Sequence, residues 1–406
     1  MSATPTPAAP SPSPHATPAG TPSAGGVGAV ILGAGRTGRG LAAVLCARCG
    51  VAVVLVDSDP ALVARLRAAG TYPVTVLGSH PALVEHITPQ AVHGLADPAW
   101  QAAAVTARVL FTAVFGTNLA ALAPYLASVI QQRLAQGAGP LDIITCENLT
   151  HAARVLRQAV AAQLPGGLAT LASARVGFVE AMVLTTSLAP TAGMDPLSVR
   201  TQNLFRLPCD GEALVAGPPP IAGLEPLPRF EHQLMRKIFT YNGINAVISY
   251  LGAERGHTQL AQAATDALIV PWAVQAGQEA GAALVAEFGF DAQEQATWAQ
   301  AALAKFSDRD IPDPIDRNAA DPARKLAADD RLVGPALLVL KHHGTPTALV
   351  RGIVAAAGYR DGATPSLLAR HGSLAAVLKA TAGLEATHPL VVLVVTAGAQ
   401  AAQGAR

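Results

Sequence analysis

Three glycines at the spacing Gly33-x-Gly35-x-x-Gly38 follow the apolar run Val30-Ile31-Leu32, and an acid, Asp57, closes the next apolar run. Between a strand and a helix, this spacing turns backbone N–H groups and a helix N-terminus toward a pyrophosphate. Gly33 permits a tight turn, Gly35 lets the backbone approach the phosphates, and Gly38 lets helix and strand pack closely. Asp57 lies 19 residues past Gly38, where a carboxylate accepts from the adenosine ribose hydroxyls and repels a 2′-phosphate. Gly33, Ala34, Gly35, Arg36, Thr37, Gly38 and Asp57 are therefore expected to bind NAD. NADP stays open, because a guanidinium at Arg36 or Arg39 could take a 2′-phosphate.

The other reactive side chains point elsewhere. Cys46, Cys49, Cys146 and Cys209 include one C-x-x-C but no second pair at zinc-site spacing. Three apart on an expected helix, Cys46 and Cys49 share its core-facing side and are read as packing residues. Free thiols suit a reducing cytoplasm, the expected location. His342 and His343 are adjacent, point apart on a helix, and are read as surface residues. No metal site is expected.

The elements that must position the glycine loop are legible as alternating patterns. Val27–Leu32 reads as a buried strand, Thr37–Cys49 as a helix ending at Gly50, and Val51–Val56 as a second strand. Pro60–Ala69 reads as a helix ending at Gly70. Arg108–Phe115 and Leu141–Thr145 read as strands around a helix from Leu119 to Gln136, and residues 175–206 look strand-like. This alternation predicts an α/β, Rossmann-type, doubly wound parallel sheet. Helical patterns then dominate over Arg229–Leu251, Leu260–Glu287 and Ala292–Phe306, predicting a mostly α-helical C-terminal domain. The expected division is a disordered tail over 1–26, a nucleotide domain over 27–210 and a helical domain over 211–406. Pro208 and Pro218-Pro219-Pro220 mark the connecting stretch.

Bulk composition excludes several function classes. The 406 residues are 51% hydrophobic and only 4% aromatic, with a net charge of +1, so no polyanionic partner or anionic membrane is implied. The best apolar runs, Val51–Val56 and Leu390–Val395, fall far short of the roughly 20 residues a spanning helix needs. Residues 1–26 carry no charged side chain and lack both the basic start and the apolar stretch of a secretory signal.

Ordered patches along the chain resemble the polyol-specific long-chain dehydrogenases of the mannitol dehydrogenase family, in particular the mannitol-1-phosphate 5-dehydrogenase branch. The patches are Gly33 to Gly40, Thr112-Ala113-Val114, Cys146-Glu147-Asn148, Val176 to Glu180, Arg236 to Asn242, Tyr250-Leu251-Gly252, Gly256-His257, Pro322 to Leu326 and Asp330-Arg331-Leu332. The resemblance implies metal-free hydride transfer between NAD and a polyol carbon, with Ala113 and Val114 joining the cofactor residues. It puts the catalytic lysine on Lys237 and the oxyanion asparagines on Asn148 and Asn242. By residue type alone, a surface lysine and two helix-capping asparagines would fit as well.

That constellation makes chemical sense. A lysine can take a hydroxyl proton near neutral pH only if burial or a positive neighbour depresses its pKa. Arg236, Leu234, Met235, Ile238 and Phe239 are the candidates for doing so. Asparagine amides donate to a developing alkoxide without changing charge. On a regular helix Lys237, Asn242 and Asn245 span a sector of roughly 140°.

Two departures bear on substrate. Asn245 stands where the family has His, and Leu184-Thr185 where it has Asp-Arg. Arg324, Lys325 and Arg331 match the phosphate-using branch, and with Asn245 they form the expected substrate set, unless Asp316, Asp321, Asp329 or Asp330 neutralise them. The expectation is an NAD-dependent enzyme acting on a small polyol or sugar phosphate of the mannitol 1-phosphate/fructose 6-phosphate kind, as a monomer or small homo-oligomer. An unphosphorylated polyol, a sugar acid, or a non-catalytic NAD-binding role are the alternatives.

Overall fold

The computed structural model describes residues 28–79, 83–147, 149 and 151–404. The expected tail, residues 1–26, lies outside them. The chain forms two compact units, Met1–Val76 with Pro81–Pro228, and Leu77–His80 with Arg229–Arg406.

Among the described residues the first unit holds twelve strands: β1 (Ala29–Leu32), β2 (Val53–Asp57), β3 (Tyr72–Leu77), β4 (Leu83–Ile87), β5 (Ala91–Gly94), β6 (Val109–Thr112), β7 (Leu141–Thr145), β8 (Val176–Glu180), β9 (Ser187–Leu188), β10 (Val199–Gln202), β11 (Leu207–Asp210) and β12 (Leu224–Leu227). Its helices are α1 (Ala43–Arg48), α2 (Pro60–Ala69), α3 (Pro98–Thr106), α4 (Ala123–Ala135), α5 (Ala152–Gln163) and α6 (Leu168–Ser173). Six strands form a parallel sheet in the order β5-β2-β1-β6-β7-β8. Both faces are buried. Ala29 and Ile31 belong to the core on one side of the sheet, Val30 and Leu32 to the core on the other. That is why β1 reads as an unbroken apolar run rather than an alternating one.

Local chemistry sets the helix ends. Asp59 caps α2 by accepting from the N–H groups of Ala61 and Leu62, Pro60 occupies the first turn, and Gly70 closes the helix at φ 67°. The strand order reverses between β2 and β6 on either side of β1, the crevice where open α/β sheets bind ligands.

The strands β3, β4 and β5, and the four-stranded sheet β4-β3-β10-β9, were not foreseen from sequence. The expected boundary at 210/211 falls at the end of β11, whose parallel partner β12 keeps the chain in the first unit to Pro228. Among the described residues no helix is long and apolar enough to cross a membrane.

The second unit is helical: α7 (Phe230–Lys237), α8 (Gly243–Glu254), α9 (Leu260–Ala264), α10 (Val270–Phe288), α11 (Ala292–Phe306), α12 (Ile315–Ala319), α13 (Pro322–Lys325), α14 (Val333–Lys341), α15 (Thr347–Gly358), α16 (Leu367–His371), α17 (Leu374–Ala382) and α18 (Pro389–Gly404). α8 runs through its centre. Ile244, Ala246, Val247, Ile248, Tyr250 and Leu251 are all buried, as a helix packed on most sides requires.

One expected helix is corrected and another carries a bulge. The helix expected over Arg229–Leu251 runs from Phe230 to Glu254, with the i→i+5 turn Ile238–Asn242 inserted between α7 and α8. Leu260–Glu287 breaks after α9, and Pro271 sits in the opening turn of α10.

Candidate active site

The glycine loop runs from the end of β1 into an i→i+5 turn over Gly38–Ala42, ahead of α1. Gly33 has φ +102°, and a Cβ there would lie 2.4 Å from the Ala113 carbonyl oxygen, so only glycine fits. A Cβ on Gly38 would lie 2.0 Å from the Gly33 carbonyl oxygen. Around Gly35, by contrast, no heavy atom comes within 4 Å of such a Cβ. The loop is therefore closed where it packs and open where a phosphate would approach. These residues fit a dinucleotide.

Asp57 holds this loop. Its Oδ2 accepts from the Ala34 N–H at 2.7 Å and its Oδ1 from the Asp59 N–H at 2.9 Å. A carboxylate has lone pairs to spare, so Asp57 can still receive ribose hydroxyls. Arg39 is excluded as a 2′-phosphate ligand. It is buried, Nε donates to the Ala34 carbonyl at 2.7 Å, a terminal nitrogen donates to the Leu197 carbonyl, and the guanidinium lies over the Tyr72 ring. Arg36 is exposed, and Thr37 is half-buried ahead of the i→i+5 turn.

Ala113 and Val114 follow β6 and are fastened by Glu147. Its Oε1 accepts from the Val114 N–H at 3.0 Å and its Oε2 from the Thr112 hydroxyl at 2.7 Å. Burial pushes this carboxyl above the usual range, while those two hydrogen bonds pull it back. Sequence reasoning gave Glu147 no role of its own. Asn148 lies outside the described residues. Next in line, Phe115 is 74% exposed at φ 66°, a strained conformation for an aromatic residue.

In the second unit Lys237 ends α7 and is 8% exposed. Burial lowers its ammonium from the usual range to about 7, helped by the nearby charges of Lys305 and Arg331. The expected neighbours act differently. Met235 is exposed, and Arg236 faces Gln295 and the rings of Phe290 and Trp298. Lys305, on α11, was missed, since nothing local in the chain brings it to Lys237.

The turn after Lys237 changes the helical phase. The Gly243 N–H bonds the Ile238 carbonyl, five residues back rather than four. In such a turn residues five apart stand one above the other, so Lys237 and Asn242 come closer in rotation than the regular-helix sector allows. Asn242 and Asn245 are half-buried. A Cβ on Gly243 would meet the Arg331 carbonyl oxygen at 3.0 Å, so the backbone of Arg331 packs against the end of this turn.

Asn245 belongs to a polar chain. Its Nδ2 donates to Asn318 Oδ1 at 3.1 Å, and Asn318 Nδ2 donates to Asp313 Oδ1 at 2.5 Å. Lys325, 3% exposed, donates to the Asn318 carbonyl and lies over the Tyr250 ring at 5.6 Å. Burial brings it to about 7, with Arg331 and Arg324 contributing. The remaining two expected substrate cations carry carboxylates. Arg324 pairs with Asp321 at 3.1 Å and Asp330 at 3.2 Å, and Arg331 with Asp330 at 2.6 Å. Leu184 and Thr185 are buried in the first unit, where Thr185 donates to the Leu204 carbonyl. Among the described residues no group of three or more His, Cys, Asp or Glu side chains could hold a metal ion.

Known proteins give this geometry its relatives. Residues 27–223 match the family model for the mannitol dehydrogenase Rossmann domain, and residues 230–386 that for the mannitol dehydrogenase C-terminal domain. A substrate-free D-sorbitol dehydrogenase structure aligns over 93% of this chain and 94% of its own, at 16% identity and a TM-score of 0.78. The ternary complex of Pseudomonas fluorescens mannitol 2-dehydrogenase with NAD and D-mannitol aligns over 95% and 94%, at 16% identity and a TM-score of 0.72. With both domain models matched in order, the chain belongs to the mannitol dehydrogenase family.

Proposed function

We propose that the protein is an NAD-dependent dehydrogenase that interconverts a polyol CH–OH and the corresponding ketose carbonyl, and that its substrate is unphosphorylated. The observation that carries the chemistry is Lys237, buried and brought to about 7 at the head of the i→i+5 turn. NAD, when bound, supplies the hydride acceptor. Lys237 takes the hydroxyl proton during oxidation and returns it during reduction. Asn242 donates a hydrogen bond to the alkoxide as it forms. One N–H of the Asn245 amide goes to Asn318, which leaves the other N–H and a lone pair of Oδ1, the latter beside the Ser249 hydroxyl, for a substrate hydroxyl. Asn245 cannot carry a proton, so the proton must pass through Lys237 alone or through water.

The pairing of Arg324 and Arg331 with Asp321 and Asp330 supports the unphosphorylated reading, since a phosphate dianion would face those carboxylates as well as the arginines. A polyol phosphate is the second reading. It is favoured by the charge of Arg331, which acts on both Lys237 and Lys325. NADH oxidation with fructose, fructose 6-phosphate and hexuronates separates these readings. Preference for fructose supports the first, and preference for the phosphate supports the second. NADH binding without turnover of any of them would leave a binding module and overturn both.

A further inference from the structure

Gln295 of α11 has a position that no part of this chemistry yet uses. It is 2% exposed and bonded at both ends of its amide. Arg236 Nε donates to Gln295 Oε1 at 2.7 Å, and Gln295 Nε2 donates to Thr240 Oγ1 at 2.9 Å. A guanidinium can only donate, so the amide oxygen must face Arg236 and the amide nitrogen must face the hydroxyl. Arg236 immediately precedes Lys237, and Thr240 lies in the i→i+5 turn that follows it. The amide thus ties together the two sides of Lys237.

The surroundings are built for this side chain. A Cβ on Gly281 of α10 would lie 3.3 Å from Gln295 Cγ and 3.4 Å from Nε2, so glycine leaves the room it occupies. The Arg236 guanidinium lies over the rings of Phe290, at 4.8 Å, and Trp298, at 5.1 Å, which fixes the partner that Gln295 grips. An i→i+5 turn gives up the regular hydrogen-bond ladder at one residue and is held by its context. Here one buried amide is part of that context, beside the Arg331 backbone at the end of the turn.

We propose that Gln295 is a positioning residue that clamps the turn after Lys237 and thereby sets where its ammonium stands relative to Asn242. The proposal rests on Lys237 as the acid–base group. Gln295 does this as a neutral side chain. The charges around Lys237 remain Lys305 of α11, Arg331 and its neighbour Arg236, with Glu294 close to Arg236. A clamp of equal shape but negative charge would hold the turn and raise the ammonium.

The test uses the full chain with whichever polyol and NAD pair the substrate panel selects. Gln295→Leu removes both hydrogen bonds. We expect kcat for polyol oxidation to fall about 100-fold, as for a catalytic group displaced by an ångström, with KM for NAD unchanged. Gln295→Glu keeps both bonds, because the Thr240 hydroxyl can turn to donate. We expect it to restore most of kcat and to move the rise of the oxidation rate to higher pH. Gln295→Leu at wild-type kcat, or a folded Gln295→Glu whose kcat on its high-pH plateau has fallen about 100-fold, overturns the proposal. The second result decides the matter even if the leucine variant fails to fold. Lys237→Ala is run beside them. If it retains turnover, the reading of Lys237 has failed; if it is inactive while Gln295→Leu works normally, only the clamp has failed.

Discussion

In the first unit the cofactor loop is made by backbone: two glycines that no other residue can replace, one glycine left open, and an acid that grips the loop through a main-chain N–H. In the second unit the lysine cluster is made by side chains from α7, α11 and the segment around α13, with charge and burial tuning one ammonium. Both sites lead through an i→i+5 turn, Gly38–Ala42 and Ile238–Asn242, into the helix that follows. The difference teaches where each site is vulnerable. The loop should fail by steric change with no effect on titration. The lysine cluster should fail by loss or retuning of one proton.

The largest expected effect is that of Lys237→Ala. Removing an acid–base group costs about 100- to 10,000-fold in kcat, while NADH binding, followed by fluorescence, should persist. Persistent binding with lost turnover would sharpen the division; loss of both would break it. Gly35→Val is the mirror experiment. The space at Gly35 is open, so the melting temperature should hold, while NADH affinity drops about tenfold or more.

The next effects are read through pH. With Lys237 near 7, polyol oxidation should rise through about pH 7 and level off above it, and ketose reduction should decline over the same range. Lys305→Met removes a repelling neighbour, so that rise should move upward by up to about one unit. Stability follows the same proton. Between about 7 and the ordinary lysine value of 10.5, the unfolded chain holds a proton that the folded one has released. The folded state therefore gains stability as pH rises across that window and loses it as pH falls toward 7. Lys237→Met should melt higher than wild type at pH 6, and the difference should vanish near pH 10. The smallest effect is that of Glu147→Gln, which keeps an acceptor for Val114 and should cost about 1–2 kcal/mol in urea unfolding.

How much of this was legible in the chain follows the same line. The strands β1 and β7 and the helices α2 and α11 announce themselves through local runs and caps, and the loop through glycine spacing. β4 does not, since Leu83, Val84 and Glu85 form no clear buried face, whereas β3 alternates buried and half-buried residues from Tyr72 to Leu77 and was legible but passed over. Lys237 and Asn242 were reachable only through resemblance, because a lysine and an asparagine five apart have no pattern of their own. The i→i+5 turn between them was invisible, as nothing in Ile238-Phe239-Thr240-Tyr241-Asn242 departs from a helical sequence. Lys305 and Gln295 sit far along the chain, and only packing brings them in. The arginines of the expected phosphate set were visible, but their partners Asp321 and Asp330 stood in the same segment, and only geometry decides which charges meet.

Asp57 holds a consequence for anyone wishing to redesign the protein's taste in cofactors. Exchanging the acid for a small neutral residue is the obvious first move toward accepting a 2′-phosphate. Here that exchange would also cut the Ala34 N–H loose from the carboxylate that anchors it. Nor can Arg39 be recruited as the new phosphate ligand, since its guanidinium is already spent on the Ala34 and Leu197 carbonyls. The expected ribose ligand and the brace of the loop are one carboxylate, so a switch would need two changes at once: a new brace for Ala34 and a new cation, for which the exposed Arg36 is the starting point.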